Sequence, residues 1–127
     1  MVCLTAVGKI YNGVKYRFPL EECIASVLDG ADNFILVVCE DSEDNTIESC
    51  KELENKFNGR LKLLYDKWRI TPTENYTNMV RLANKAIEAA DAEWIWSVDM
   101  DEAMPIGEAV KLRPILTGAY CTTKRLI

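Results

Sequence analysis

The chain has 127 residues, 49% of them hydrophobic and 28% charged, which is less than the roughly 150 residues of one ordinary domain. That composition excludes two full domains, a disordered chain and a membrane-embedded one. Fifteen Lys and Arg against 20 Asp and Glu leave a net charge of −5, without the basic surface that nucleic acids or anionic membranes require.

Val2 to Ile10 is short, apolar and β-rich, and reads as a buried strand. Pro19 opens a helix whose apolar residues Leu20, Cys23, Ile24, Val27 and Leu28 fall on one face, and Gly30 is expected to end it. Phe34 to Cys39 is a continuous apolar run, the pattern of a strand covered on both faces. Asn45 with Glu48 three residues later predicts a capped second helix with Ile47, Cys50, Leu53 and Phe57 on its apolar face, closed by Asn58-Gly59. Leu61 to Tyr65 is the third strand. Thr71-Pro72-Thr73-Glu74 signals the start of a long helix with a stripe of Tyr76, Met79, Val80, Ala83, Ala86, Ile87 and Ala90. Trp94 to Val98 is the fourth strand. A short helix near Glu108 to Leu112 should be broken or kinked by Pro114, and Ala119 to Thr123 is a candidate fifth strand. Strands alternating with amphipathic helices predict an α/β fold: a Rossmann-like, mostly parallel sheet flanked by helices on both faces.

The chain contains no histidine, so His-based triads and zinc sites are out. Its cysteines, at positions 3, 23, 39, 50 and 121, are odd in number, none in a CxxC spacing. They read as small core residues. Reduced thiols, together with a Met1-Val2-Cys3-Leu4 opening that is strand-like rather than signal-like, point to a cytoplasmic protein. No apolar stretch approaches the ~20 residues of a transmembrane segment.

The acids carry the chemistry. Glu40-Asp41-Ser42-Glu43-Asp44 follows the second strand and Asp99-Met100-Asp101-Glu102 the fourth. Parallel strands end along one edge, where open α/β sheets bind ligands, so both groups should face one crevice. Crowded carboxylates repel, by about 4 kcal/mol for a pair ~4 Å apart at an effective dielectric of ~20. A divalent cation relieves that repulsion, and oxygen ligands favour Mn²⁺ or Mg²⁺. In an extended chain, Asp99 and Asp101 would lie on the same side. Glu43 and Asp44 suit helix capping and solvation better. Tyr11 ends the first strand on the same edge and could stack on a base or pack the rim. Lys67, Trp68 and Arg69 follow the third strand there and could meet a diphosphate or solvent. No glycine-rich phosphate loop is present; Gly8-Lys9-Ile10-Tyr11-Asn12-Gly13 is too poor a match.

Taken together, Ile10-Tyr11-Asn12, the helix Leu20 to Leu28, Cys39-Glu40-Asp41-Ser42-Glu43-Asp44-Asn45-Thr46, Asn84-Lys85-Ala86-Ile87-Glu88-Ala89-Ala90 and Trp94-Ile95-Trp96-Ser97-Val98-Asp99-Met100-Asp101-Glu102 resemble the N-terminal, nucleotide-sugar-binding half of family 2 glycosyltransferases of GT-A fold. The resemblance covers roughly residues 2 to 104. It departs at Lys9-Ile10, where the family has Pro-Thr, at Cys39 in place of an Asp, and at Ala83 in place of an Arg.

The resemblance implies a metal-dependent glycosyltransferase that takes a sugar from a nucleoside-diphosphate sugar to an unnamed acceptor. Asp99 and Asp101 would form the metal-binding DxD motif, with Asp99 also on the nucleotide. Glu40 would contact the base and Tyr11 would stack on it. The resemblance names no general base; Glu102, directly after that motif, is the candidate the sequence offers. Residues 1–127 would form a single, incomplete domain, lacking the acceptor half. By itself such a chain would have little transferase activity and would tend to self-associate through the edge near Ala119 to Ile127. The other reading is a non-catalytic nucleotide-binding or interaction module. A receiver-like signalling domain fits poorly, because its paired acids follow the first strand, where Lys9-Ile10-Tyr11 stands here.

Overall fold

A computed structural model describes residues 3–68, 75–117 and 125–126. Its elements run β1 (Leu4–Ile10), α1 (Leu20–Leu28), β2 (Asn33–Cys39), α2 (Thr46–Lys56), β3 (Leu61–Asp66), α3 (Asn75–Ala89), β4 (Trp94–Ser97), a 3₁₀ turn (Ala109–Lys111), α4 (Leu112–Thr117) and the short β5 (Arg125–Leu126). The sheet has five strands in the order β3-β2-β1-β4-β5, and every pairing is parallel. This is the expected α/β architecture.

Side-chain alternation along the strands divides the core in two. On one face Leu4, Ala6 and Ile10 of β1 and Phe34, Leu36 and Val38 of β2 pack with Cys23, Ile24 and Val27 of α1 and Cys50 and Leu53 of α2. On the other, Val7, Ile35, Val37 and Ile95 pack against Leu82 and Ala86 of α3 and Ala90 just beyond it. Both faces of β1 and β2 are therefore covered, which is why these strands read as unbroken apolar runs.

Several expectations are corrected in phase or boundary. Among the described side chains of α3 the buried ones are Asn78, Leu82 and Ala86, with Ala90 just past its end, while Met79 and Val80 are about 40% exposed; the Tyr76 side chain lies outside the described ones. The inward face is set by a four-residue step, and Met79 instead reaches the cleft described below. Asn45 precedes α2 but its side chain makes no cap bond. Asp44 caps instead, accepting the Thr46 amide at 3.0 Å, as a short carboxylate at a helix start does well. Asn58 and Gly59 do end α2, both at positive φ. Pro114 does not break a helix: a 3₁₀ turn leads into α4, and Pro114 lies in the first turn of α4, where a missing N–H costs nothing. Residues 71–74 and 119–123, on which a helix start and a strand were expected, lie outside the described residues.

Cys23, Cys39 and Cys50 are free and buried, and Cys3 is free and partly buried. Burial pushes the Cys50 thiol up to about 12, with Asp44 adding to the shift, so it stays a protonated core residue.

Gly30 is not a left-handed cap. A Cβ there would sit 2.1 Å from the Ala109 carbonyl oxygen, so the glycine lets the 3₁₀ turn lie against the end of α1. Gly30→Ala should therefore lower the free energy of unfolding by roughly 1–3 kcal/mol, the usual range for overpacking, as read by urea denaturation.

Candidate functional site

The strand order reverses at β1. From β1 the chain winds outward through β2 to β3, then α3 carries it back to β4 on the other side of β1. Above the C-terminal ends of β1 and β4 no helix can close the gap, and a crevice opens. It holds a cleft of about 440 Å³. Lys9, Ile10 and Tyr11 come from the end of β1, Val98 to Glu102 from the end of β4, and Tyr16, Phe18, Trp68 and Met79 from the flanks.

Asp99, Asp101 and Glu102 meet at the cleft, each with a carboxylate oxygen within 4.8 Å of the others, and all three are exposed. The extended chain expected for the Asp-x-Asp pair gives way to a turn, in which the Glu102 amide donates to the Asp99 carbonyl at 3.2 Å. The turn brings Glu102 in beside the pair. Met100 anchors it. Only 3% exposed, Met100 packs in the α1–α2 core, with its sulfur close to where a Gly8 side chain would stand. The Cys23 thiol lies beneath, donating toward the Asp99 carbonyl at 3.8 Å. Burial pushes that thiol up to about 12, and Asp101, Glu102 and Asp99 add to the shift. Among the described residues none of the three acids has an ion-pair partner.

The carboxylates suit a hard divalent cation. Two ligands on opposite sides of a cation bonded at ~2.1 Å stand about 4.2 Å apart, so only a small rotation of exposed side chains separates this arrangement from a coordinating one.

The first acidic cluster ends at the same sheet edge but does not enter the cleft. It ties loops together. Asn12 is 2% exposed with φ of 53°, a left-handed conformation that Asn tolerates. Its side-chain oxygen accepts the Glu43 amide at 2.6 Å, and its own amide donates to the Ser42 hydroxyl at 3.1 Å. The second carboxylate oxygen of Asp44 accepts the Lys15 amide at 2.7 Å. Burial raises the Asp44 carboxyl, but bonds from Thr46 and Lys15 outweigh it and leave the group below its ordinary value. Glu40 is exposed and does not line the cleft; its charge is felt at Tyr65 on β3. Asp41 accepts the Trp68 amide at 2.8 Å.

Tyr11 lines the cleft stacked on Trp68, ring centroids 5.4 Å apart and planes 9° from parallel, within the range where aromatic pairs attract. Trp68 is held from below. Arg81 of α3 pairs with Asp66 and donates to the Lys67 carbonyl, and Lys85 reaches Asp66 at 3.3 Å and the Tyr65 carbonyl at 2.8 Å. Arg69 lies outside the described residues. The structure thus brings Tyr11, Asp99, Asp101 and Glu102 together and leaves Glu40 apart. Sequence reasoning did not find Phe18 or Met79 as wall residues, nor Asn12 as the joint between two loops. An Asn directly after a strand, at a sharp change of chain direction, was the available signal for Asn12.

Residues 10–113 match the family described as Glycosyl transferase family 2. The chain belongs to that family. Its structure is similar to Staphylococcus aureus TarS 1-349, with a TM-score of 0.59 and 19% identity over 91% of this chain and 31% of that one. It is likewise similar to TarS 1-349 in complex with UDP, with a TM-score of 0.58, 18% identity and the same coverages. The fold is thus GT-A-like, and the chain spans about a third of the length of those solved chains. No curated protein matches the sequence. Among the described residues no helix is long and apolar enough to cross a membrane.

Asp66 yields a pH dependence. Burial raises its carboxyl, but the Lys67 amide, Arg81 and Lys85 together hold it below its ordinary value. A lowered folded value means stability that is present above the ordinary carboxylate range and lost as pH falls through the folded value. The stability advantage of the native chain over Asp66→Asn should be complete at neutral pH and shrink below about pH 4, measured by urea unfolding across that range.

Proposed function

We propose that this chain is the donor-binding domain of a metal-dependent glycosyltransferase, acting on a nucleoside-diphosphate sugar. The observation that carries the reading is the convergence of Asp99, Asp101 and Glu102 within 4.8 Å at an aromatic-walled cleft in a member of this family. The UDP bound to TarS, a structure of the same fold, supports a nucleoside diphosphate as the ligand.

In this reading Asp99 and Asp101 hold Mn²⁺ or Mg²⁺, and Asp99 also faces the nucleotide. The bound cation supplies Lewis-acid neutralisation of the leaving diphosphate. Tyr11, backed by Trp68, offers a flat apolar surface to the base; such stacking is worth ~1–3 kcal/mol per base. Phe18 and Tyr16 narrow the cleft and displace water from it. Glu102 shares the carboxylate cluster, which suits a third ligand or charge-holding role better than a base free to take a proton from an acceptor hydroxyl. Glu40, outside the cleft, is given no role. Residues 1–127 act as one binding unit. The acceptor and its base are not assigned to any of these residues.

Calorimetry with UDP and GDP, each with and without Mn²⁺, tests this. Binding should tighten with Mn²⁺. Outer-shell changes at metal sites typically cost 10–100-fold in affinity, so Asp101→Ala, which removes a ligand outright, should lose at least about ten-fold of the Mn²⁺-dependent binding. Nucleotide binding that is indifferent to Mn²⁺ and unchanged in Asp101→Ala would show the reading to be wrong.

A further inference from the structure

Lys9 is the one cationic side chain among the described residues that line the cleft. It makes no ion pair there and is only partly buried. Alternation along β1 fixes its direction. Leu4, Ala6 and Ile10 face the α1–α2 core and Val7 faces α3, so Lys9 stands on the α3 side, below Tyr11 and beside the end of β4. The neighbouring Cys39 thiol does not offset its charge, since burial, with help from Asp41 and Asp66, pushes it up to about 12 and keeps it neutral.

A lone ammonium aimed into a cleft beside three unpaired carboxylates has two uses. It can soften their repulsion, or it can take an anion carried by the ligand. The first use would draw Lys9 onto a carboxylate, and no such pair forms. We propose that Lys9 holds the diphosphate of the bound nucleotide, a contact that rests on the donor-binding reading above. Three carboxylates and a diphosphate carry more negative charge than one divalent cation can balance. A lysine at the C-terminal end of β1 supplies further positive charge as a compact donor to phosphate oxygens. Its placement on a strand of the central sheet, rather than on a loop, fixes the distance from β1 to the Asp99–Glu102 turn.

The test compares UDP with uridine, which shares the base and ribose but has no phosphate. Affinities for both are measured by NMR titration in the presence of diamagnetic Mg²⁺, on the native chain, Lys9→Met and Lys9→Arg. A hydrogen bond from a charged group contributes ~1.5–3 kcal/mol, so Lys9→Met should weaken UDP by about ten-fold or more. Uridine should be unaffected and Lys9→Arg should recover most of the loss. An equal loss for uridine and UDP would overturn the proposal in favour of a base or ribose contact or a structural role. Unchanged UDP affinity with tighter Mg²⁺ binding in Lys9→Met would overturn it in favour of charge-softening on the carboxylates. UDP binding by the native chain that Lys9→Met leaves intact defeats this inference alone, whereas no UDP binding by the native chain defeats the donor-binding reading and this inference together.

Discussion

Everything at the candidate site depends on the reversal of strand order at β1. A parallel sheet needs crossover helices. Two of them, α1 and α2, lie on one face, and α3 lies on the other. Where the winding changes direction, the C-terminal ends of β1 and β4 have neither crossover helix above them. The chain cannot fill that gap without abandoning the pairing of Leu4 to Val7 with Trp94 to Ser97. The cleft is thus a consequence of topology, and the residues at the two strand ends are committed to it whatever their chemistry. In this chain they are a lysine, a tyrosine and a group of carboxylates.

The two acidic clusters show how one composition serves two ends. Both follow strands and both emerge at the same edge. The first spends its hydrogen-bonding capacity internally: Asp44 on Thr46 and Lys15, Asp41 on Trp68, with Ser42 and the Glu43 amide tied to Asn12. The second spends none of its side-chain capacity on internal ion pairs. It is held by the residue between the aspartates, because burying Met100 between α1 and the sheet forces Asp99 and Asp101 outward. A carboxylate cluster anchored by an apolar plug keeps its charges free and its position fixed, which is the condition for preorganised binding. The aromatic wall obeys the same logic: the Arg81–Asp66–Lys85 group is spent on setting the backbone that carries Trp68 to Tyr11.

The strands and helices were legible in the sequence because covered parallel strands are long apolar runs and their helices carry clean stripes. The DxD group was legible because acids delivered straight from a buried strand have few structural reasons to be there. The outward turn of Met79 and Val80 on α3 was not, because both are as apolar as a core pair; Ala86, Ile87 and Ala90 of the same stripe do meet the core, and Met79 belongs to the cleft instead. Glu40 and Asp41 could not be told apart, since both lie in the turn just past β2, where side-chain alternation no longer assigns a face. The Trp68–Tyr11 stack joins positions far apart in sequence and left no local signature. Neither did the turn that adds Glu102 to the aspartates, since an extended chain and a turn are equally compatible with those residues.

The central claim is that the switch-point cleft is a cation-dependent nucleotide site built on Asp99 and Asp101. Paramagnetic broadening of backbone amide signals by substoichiometric Mn²⁺ in the presence of UDP reads the position of the ion directly. The account predicts that broadening centres on residues 98–102, extends to Lys9 and Tyr11, and weakens toward Glu40 to Asp44. Broadening centred on Glu40 to Asp44, or spread evenly over the acidic surface, would contradict it.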